Sequence, residues 1–263
     1  MSESADFYMS WLGCGSFGAA SRRIADPTPS VVFQPTDLSG LDIWFDGSDD
    51  LTVEVDSKDN ISILSWQNKG DLSGEMVPTI GTAYYNVDTM NTIPVVQFPV
   101  GGQMGWTGAL ATQVKTTFIV NKQLDDLSGL AVPFLRMWSP DDANSYQLGI
   151  AYSTGLFYYQ ICRSGVYCIS ASDAVNYYNT PLMTTWRLST DMSENAIKLN
   201  GSAIGIYENY PASGFDTDSL TYLVNRTDGS SQDVAEIIIY NRVLSDLEVA
   251  EVEAYLITKW GIT

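Results

Sequence analysis

The sequence predicts an all-β protein made of two stacked antiparallel sheets and closed by one C-terminal α-helix. Three observations carry the prediction. From residue 38 to residue 240 the chain runs in apolar or alternating stretches of about four to eight residues, each ended by turn formers. Asn200-Gly201 separates two of these stretches, and both residues tolerate the positive φ of a two-residue hairpin. Only the last segment changes period, with Val249, Val252, Leu256 and Trp260 recurring on one helical face.

In chain order the expected strands are "LDIWF" (41–45), "LTVEV" (51–55), "ISILSW" (61–66), "IPVVQF" (93–98) and "TTFIVN" (116–121). They continue with "YQLGIAY" (146–152), "LFYYQIC" (156–162), "VYCISA" (166–171) and "TTWRLST" (184–190). The last are "AIKLN" (196–200), "AIGIY" (203–207), "LTYLV" (220–224) and "VAEIIIY" (234–240). So many short strands at even spacing point to a sandwich. "VAEIIIY" is apolar on both faces except at Glu236, as a central strand is.

The helix opens at Ser245, where Glu248 completes a capping box and Asp246 favours the N-terminal dipole. Its apolar arc includes Ala250, Ala254 and Ile257. Glu253 falls inside that arc and is expected to reach water in part, while Glu251 and Lys259 are expected on the solvent side. The helix is a lid on the β core.

Composition removes whole classes of chemistry. The chain has no histidine, which excludes Ser-His and Cys-His nucleophiles, His-bound zinc and imidazole acid–base catalysis. A formal charge of −18 opposes sequence-independent binding to DNA or RNA and to anionic membrane surfaces. No apolar run is long enough to span a bilayer. The acidic start "MSESADFYMS" lacks the positive region of a signal peptide, so the sequons at Asn60, Asn200 and Asn225 read as chance.

In "QICRSGVYCIS" a three-residue loop at 164–166 sets Cys162 opposite Cys168, within reach of a disulfide; two reduced thiols on one face fit equally. Cys14 is left odd. Residues 1–37 show no period and form an N-terminal segment before a domain spanning 38–263. That segment is either a flexible terminus or an extended arm, with Phe7, Tyr8, Trp11, Phe17, Arg22 and Arg23 contacting a partner subunit.

"AEIIIYNRVLSDLEVAEVEAYLITKWGI" resembles the C-terminal signature of concanavalin A-like, laminin-G-like jelly-roll domains. "LDIWFDGSD", "ISILSWQNKGDLSG", "IPVVQF", "TTFIVN" and "TWRLSTDMSENAIKLNGSAI" follow the same pattern in order across about residues 38–263. Gln67 and Asn68 depart from the Asp that commonly follows the Trp, and residues 1–37 lie outside the resemblance. The resemblance implies a two-sheet jelly roll. Such domains occur in structural proteins of large DNA viruses and phages and as carbohydrate-binding modules.

Hydrolases of this fold use a Glu-x-Asp-x-x-Glu strand, and none occurs here; Glu54 and Asp56 lack the second Glu. The expectation is therefore no enzyme. Oxygen-rich loops at 46–50, 56–60 and 139–145 follow from the turn habit of Asp and Asn; if Ca2+ is bound, Asp46, Asp49 and Asp50 are its first ligands. For sugar stacking the candidates are Trp106 in the Gly-rich "GGQMGWTG", then Trp138, Tyr177 and Tyr178, with core packing or subunit contact as the competing role of each. Trp44, Trp66, Trp186 and Trp260 belong to the core. With no export signal, the resemblance implies a non-enzymatic virion component, a minor capsid or surface protein whose partners are other capsid subunits. The competing expectation is a lectin-like module for glycans, and a weaker one a glycan hydrolase.

Overall fold

The computed structural model describes residues 33–108, 116–124, 131–138, 144–151, 156–163, 166–173, 178–187, 196–204, 206–208, 221–224 and 231–263. Of the described residues within 131–173, and of 206–208 and 221–224, it describes the backbone. The N-terminal candidates Phe7, Tyr8, Trp11, Phe17, Arg22 and Arg23 lie outside the described residues.

The strands in order are β1 (Leu41–Asp46), β2 (Val53–Val55), β3 (Ile63–Gln67), β4 (Glu75–Ile80), β5 (Tyr84–Met90) and β6 (Ile93–Phe98). Next come β7 (Gln103–Trp106), β8 (Thr116–Gln123), β9 (Ala131–Trp138), β10 (Asn144–Ala151), β11 (Leu156–Arg163) and β12 (Val166–Asp173). The last are β13 (Pro181–Arg187), β14 (Ala196–Leu199), β15 (Ser202–Ala203), β16 (Ile206–Glu208), β17 (Thr221–Val224) and β18 (Gln232–Tyr240), before helix α1 (Asp246–Trp260). Among the described residues they form two antiparallel sheets. Sheet A runs β15-β14-β13-β8-β18-β6-β5, with β1 also paired to β18; sheet B runs β16-β12-β11-β10-β9-β17-β7-β4-β3-β2.

Sheet A is the middle of three layers. Phe118, Val120, Met183, Ile238 and Tyr240 on its outer face pack with Val249, Val252, Leu256 and Trp260 of α1 in one cluster. The alternating residues point the other way, where Phe45 meets Trp66 at 5.3 Å and Trp106 at 5.8 Å between ring centroids, both on sheet B. This is why all nine residues of β18 are buried. Each large apolar side chain in the helix seam contributes about 1.5–3 kcal/mol.

The local signals act as expected at two places. Asn200 and Gly201 both take positive φ, 48° and 79°, between the paired residues Leu199 and Ser202. Ser245 Oγ accepts the Glu248 N–H, and the Glu248 carboxylate accepts the Ser245 N–H. The helix then ends on Gly261 in the left-handed region.

Four departures have physical causes. The packed body begins at Phe33: its ring meets Tyr255 edge-on, and the Tyr240 hydroxyl donates to the Pro35 carbonyl at 2.9 Å. Residues 33–37 therefore join the domain. Two residues, not three, separate β11 from β12, so Cys162 pairs with Tyr167 and a bulge takes up Cys168. Glu253 is buried and meets Lys198 at 3.1 Å on β14. Lys259 turns in towards sheet A because two carboxylates wait there.

Candidate functional site

Those carboxylates belong to Asp46 and Glu236, register partners on β1 and β18. Lys259 Nζ donates to Asp46 Oδ1 at 2.7 Å and to Glu236 Oε2 at 2.9 Å. The indole N–H groups of Trp44 and Trp260 and the Tyr255 hydroxyl also donate to Glu236. Burial pushes the Glu236 carboxyl up against the pull of Lys259. Burial pushes Asp46 up too, but Lys259, Ser48 and Lys69 outweigh it and hold that carboxyl below its ordinary value.

This decides the cation candidates. Lys69 Nζ lies 3.1 Å from Asp46 and 2.8 Å from Asp49, so two ammonium groups already neutralise the carboxylates proposed for Ca2+. Asp50 is exposed beside them. Among the described residues no group of three or more acidic, Cys or His side chains could hold a metal ion. The sequence shows the carboxylates of 46–50; that Lys69 and Lys259 reach them from distant elements is a tertiary fact.

The aromatic candidates separate in the same way. Trp106 is not presented by a loop: it ends β7, which pairs with β4 and β17, and it is 7% exposed. Its ring fills the space where side chains on Gly74 and Gly108 would stand, 2.7 and 2.4 Å from the nearest ring atoms. The glycines make room for the ring rather than display it. Trp138 closes β9 opposite Ser145 and Thr221. Tyr177 lies outside the described residues. Tyr178 is 43% exposed and forms a parallel bridge to Gln123 at the end of β8, secured by the Asn179 N–H donating to the Gln123 carbonyl at 2.8 Å.

That strand end is polar across sheet A. The register aligns Tyr84, Gln97, Asp233, Lys122 and Pro181 in one row over β5, β6, β18, β8 and β13. This row lies one step beyond the apolar residues under α1. Lys122 Nζ meets Asp88 at 2.9 Å and Asp233 at 2.8 Å, and Gln97 Nε2 donates to Asp233 at 3.1 Å. The Lys122 hydrogen bond holds the Asp88 carboxyl below its ordinary value, whereas burial pushes Asp233 up. Gln123, Asn121 and Gln232 occupy the alternate, inner positions. A signal existed: "VVQF", "FIVNKQ" and "QDVAEIIIY" each turn polar at one end, and antiparallel pairing brings those ends together.

No protein-family model and no curated protein matches the chain. Its fold does match solved structures. The binding domain of botulinum neurotoxin DC in complex with SialylT aligns with a TM-score of 0.61 and 10% identity over 83% of this chain. The receptor-binding domain of botulinum neurotoxin D gives 0.60 and 12% over 87%, and a Trypanosoma rangeli sialidase 0.56 and 13% over 86%. The chain spans 52%, 56% and 34% of those proteins, respectively. The fold is a concanavalin A-like jelly-roll sandwich with one C-terminal helix. None of these three is a particle subunit, and the segment expected to anchor the chain in a capsid lies outside the described residues.

Proposed function

We propose that the chain is a non-catalytic, lectin-like module that binds glycans at the polar end of sheet A. The observation that carries this reading is that Tyr178, 43% exposed, is bridged through its backbone to a strand end rich in amide and charged side chains. A sugar offers such a surface an apolar ring face and flanking hydroxyls. The fold supports the reading, since the binding domain of botulinum neurotoxin DC, of this architecture, is known in complex with SialylT. Asp88 and Asp233 both spend a carboxylate on Lys122, which suits positioning and not the acid–nucleophile division of a glycosidase. A glycan array on the full chain tests this: binding that Tyr178→Ala weakens, without a change in thermal midpoint, supports it. Binding to no glycan, or turnover of one, overturns it.

A further inference from the structure

Where α1 meets sheet A, an amine, a carboxyl carbon and a proton acceptor are held in mutual contact. Lys259 Nζ makes three hydrogen bonds, to Asp46 Oδ1 at 2.7 Å, to Glu236 Oε2 at 2.9 Å and to the Tyr255 hydroxyl at 3.0 Å. Asp46 and Glu236 are both buried and stand in register on neighbouring strands. Oδ1 is bonded to Cγ, so Nζ stands no more than about 4 Å from that carbon, close to the roughly 3–3.5 Å of a near-attack arrangement. Aromatic rings line the cluster: Nζ lies 5.3 Å from the centre of the Tyr255 ring and 5.0 Å from that of Trp260.

The surroundings suit bond formation as well as ion pairing. The Asp46 carboxyl is polarised at both oxygens: Ser48 donates to Oδ1 through its N–H at 3.0 Å and its hydroxyl at 2.6 Å, and Lys69 donates to Oδ2 at 3.1 Å. These donors stand where charge gathers on oxygen when the carboxyl carbon is attacked. Burial pushes the Glu236 carboxyl up, which favours its taking a proton. An amide in place of the pair would remove two buried charges, and Lys69 would keep Asp49 at 2.8 Å. Lys122 also meets two carboxylates, but the Asp88 side chain there is 41% exposed, and water competes with attack.

We propose that Lys259 and Asp46 condense to an intramolecular isopeptide bond, with Glu236 carrying the proton. The Lys259 ammonium passes one proton to Glu236 along their hydrogen bond. The freed lone pair forms the Nζ–Cγ bond, and the carbonyl electron pair moves onto Oδ1, where Ser48 donates. On collapse the Cγ–Oδ2 bond breaks. Oδ2 takes the proton held by Glu236 and a second one from Nζ, and departs as water. Glu236 is then a carboxylate again, so the step needs no cofactor, oxidant or outside reagent. Holding the two groups in contact supplies the effective concentration that free acid and amine lack in water. The bond fastens the helix lid to β1 across 213 residues of chain and does not depend on glycan binding.

The intact mass of the purified full chain, denatured after folding, tests this. The expected mass is one water below that of the sequence. Peptide mapping should place a branch between Lys259 and Asp46, and trypsin should no longer cut after Lys259. Asp46→Asn should give the same branch with the loss of one ammonia, since the amide nitrogen then leaves. Lys259→Arg should keep its full mass, and so should Glu236→Gln once a cooperative unfolding transition has shown that it folds. Wild-type chain at full mass overturns the proposal, whichever variants fold. Water loss mapped to any other pair, such as Lys122 with Asp88, overturns it too. A folded Glu236→Gln chain that still forms the branch overturns the role given to Glu236.

Discussion

The Lys259 ammonium lies 2.9 Å from Glu236 Oε2, joining the last turn of α1 to the centre of sheet A. Glu236 is fully buried and Lys259 partly so. Glu236 also takes hydrogen bonds from Trp44, Tyr255 and Trp260, so one carboxylate collects donors from β1 and from two turns of the helix. A charge at this depth persists only because every lone-pair direction is answered.

Lys259→Met should therefore destabilise strongly. It leaves Asp46 with Lys69 alone and Glu236 without a countercharge, and breaking a buried pair from one side costs about 3–5 kcal/mol. Urea unfolding followed by tryptophan fluorescence checks this. A loss below about 1 kcal/mol, the range of exposed pairs, would show that the network is decorative.

The cap of α1 should give the fold an acid-sensitive limb. The Arg242 hydrogen bond, with help from Ser245, lowers the Glu248 carboxyl from 4.5 to about 2 in the folded chain. Its contribution is thus complete above the unfolded value of 4.5 and fades as pH falls towards about 2. Glu248→Gln should lower stability at neutral pH and flatten the decline between those values. Thermal midpoints measured across that window decide it; an unchanged slope would refute the assignment.

Truncation should distinguish residue 33 from residue 38 as the start of the body. Removing 1–32 should leave a cooperative unfolding transition at an unchanged midpoint. Removing 1–37 also deletes the Phe33–Tyr255 contact and the acceptor of the Tyr240 hydroxyl, a loss of about 1–3 kcal/mol. Equal midpoints for the two truncations would contradict the packing seen here.

Trp106→Ala should behave as a core deletion, lowering stability by about 3–5 kcal/mol. Any loss of glycan binding in that variant would follow from unfolding. Denaturant midpoints of Trp106→Ala and Tyr178→Ala, compared side by side, should differ widely.

The sequence alone determined those features that depend on neighbouring residues or on period. The Asn200-Gly201 hairpin needs two residues that tolerate positive φ, the Ser245–Glu248 cap needs only their spacing, and the two-sided burial of β18 shows in "IIIY". The strands β4, β5, β7 and β9 were not legible, because short segments with Pro, Gly or mixed polarity become strands only when a partner supplies the ladder. Tertiary structure alone decided the roles of the charges and aromatics. Asp46 looked like a cation ligand until Lys69 and Lys259 arrived from 23 and 213 residues away. Trp106 looked displayed until pairing on both sides of β7 buried it. Hairpins and caps are local balances of hydrogen bonding and backbone strain, so sequence spacing is enough to read them. Burial and ion pairing depend on which distant elements share a face, and register sets that only once the sheets have formed.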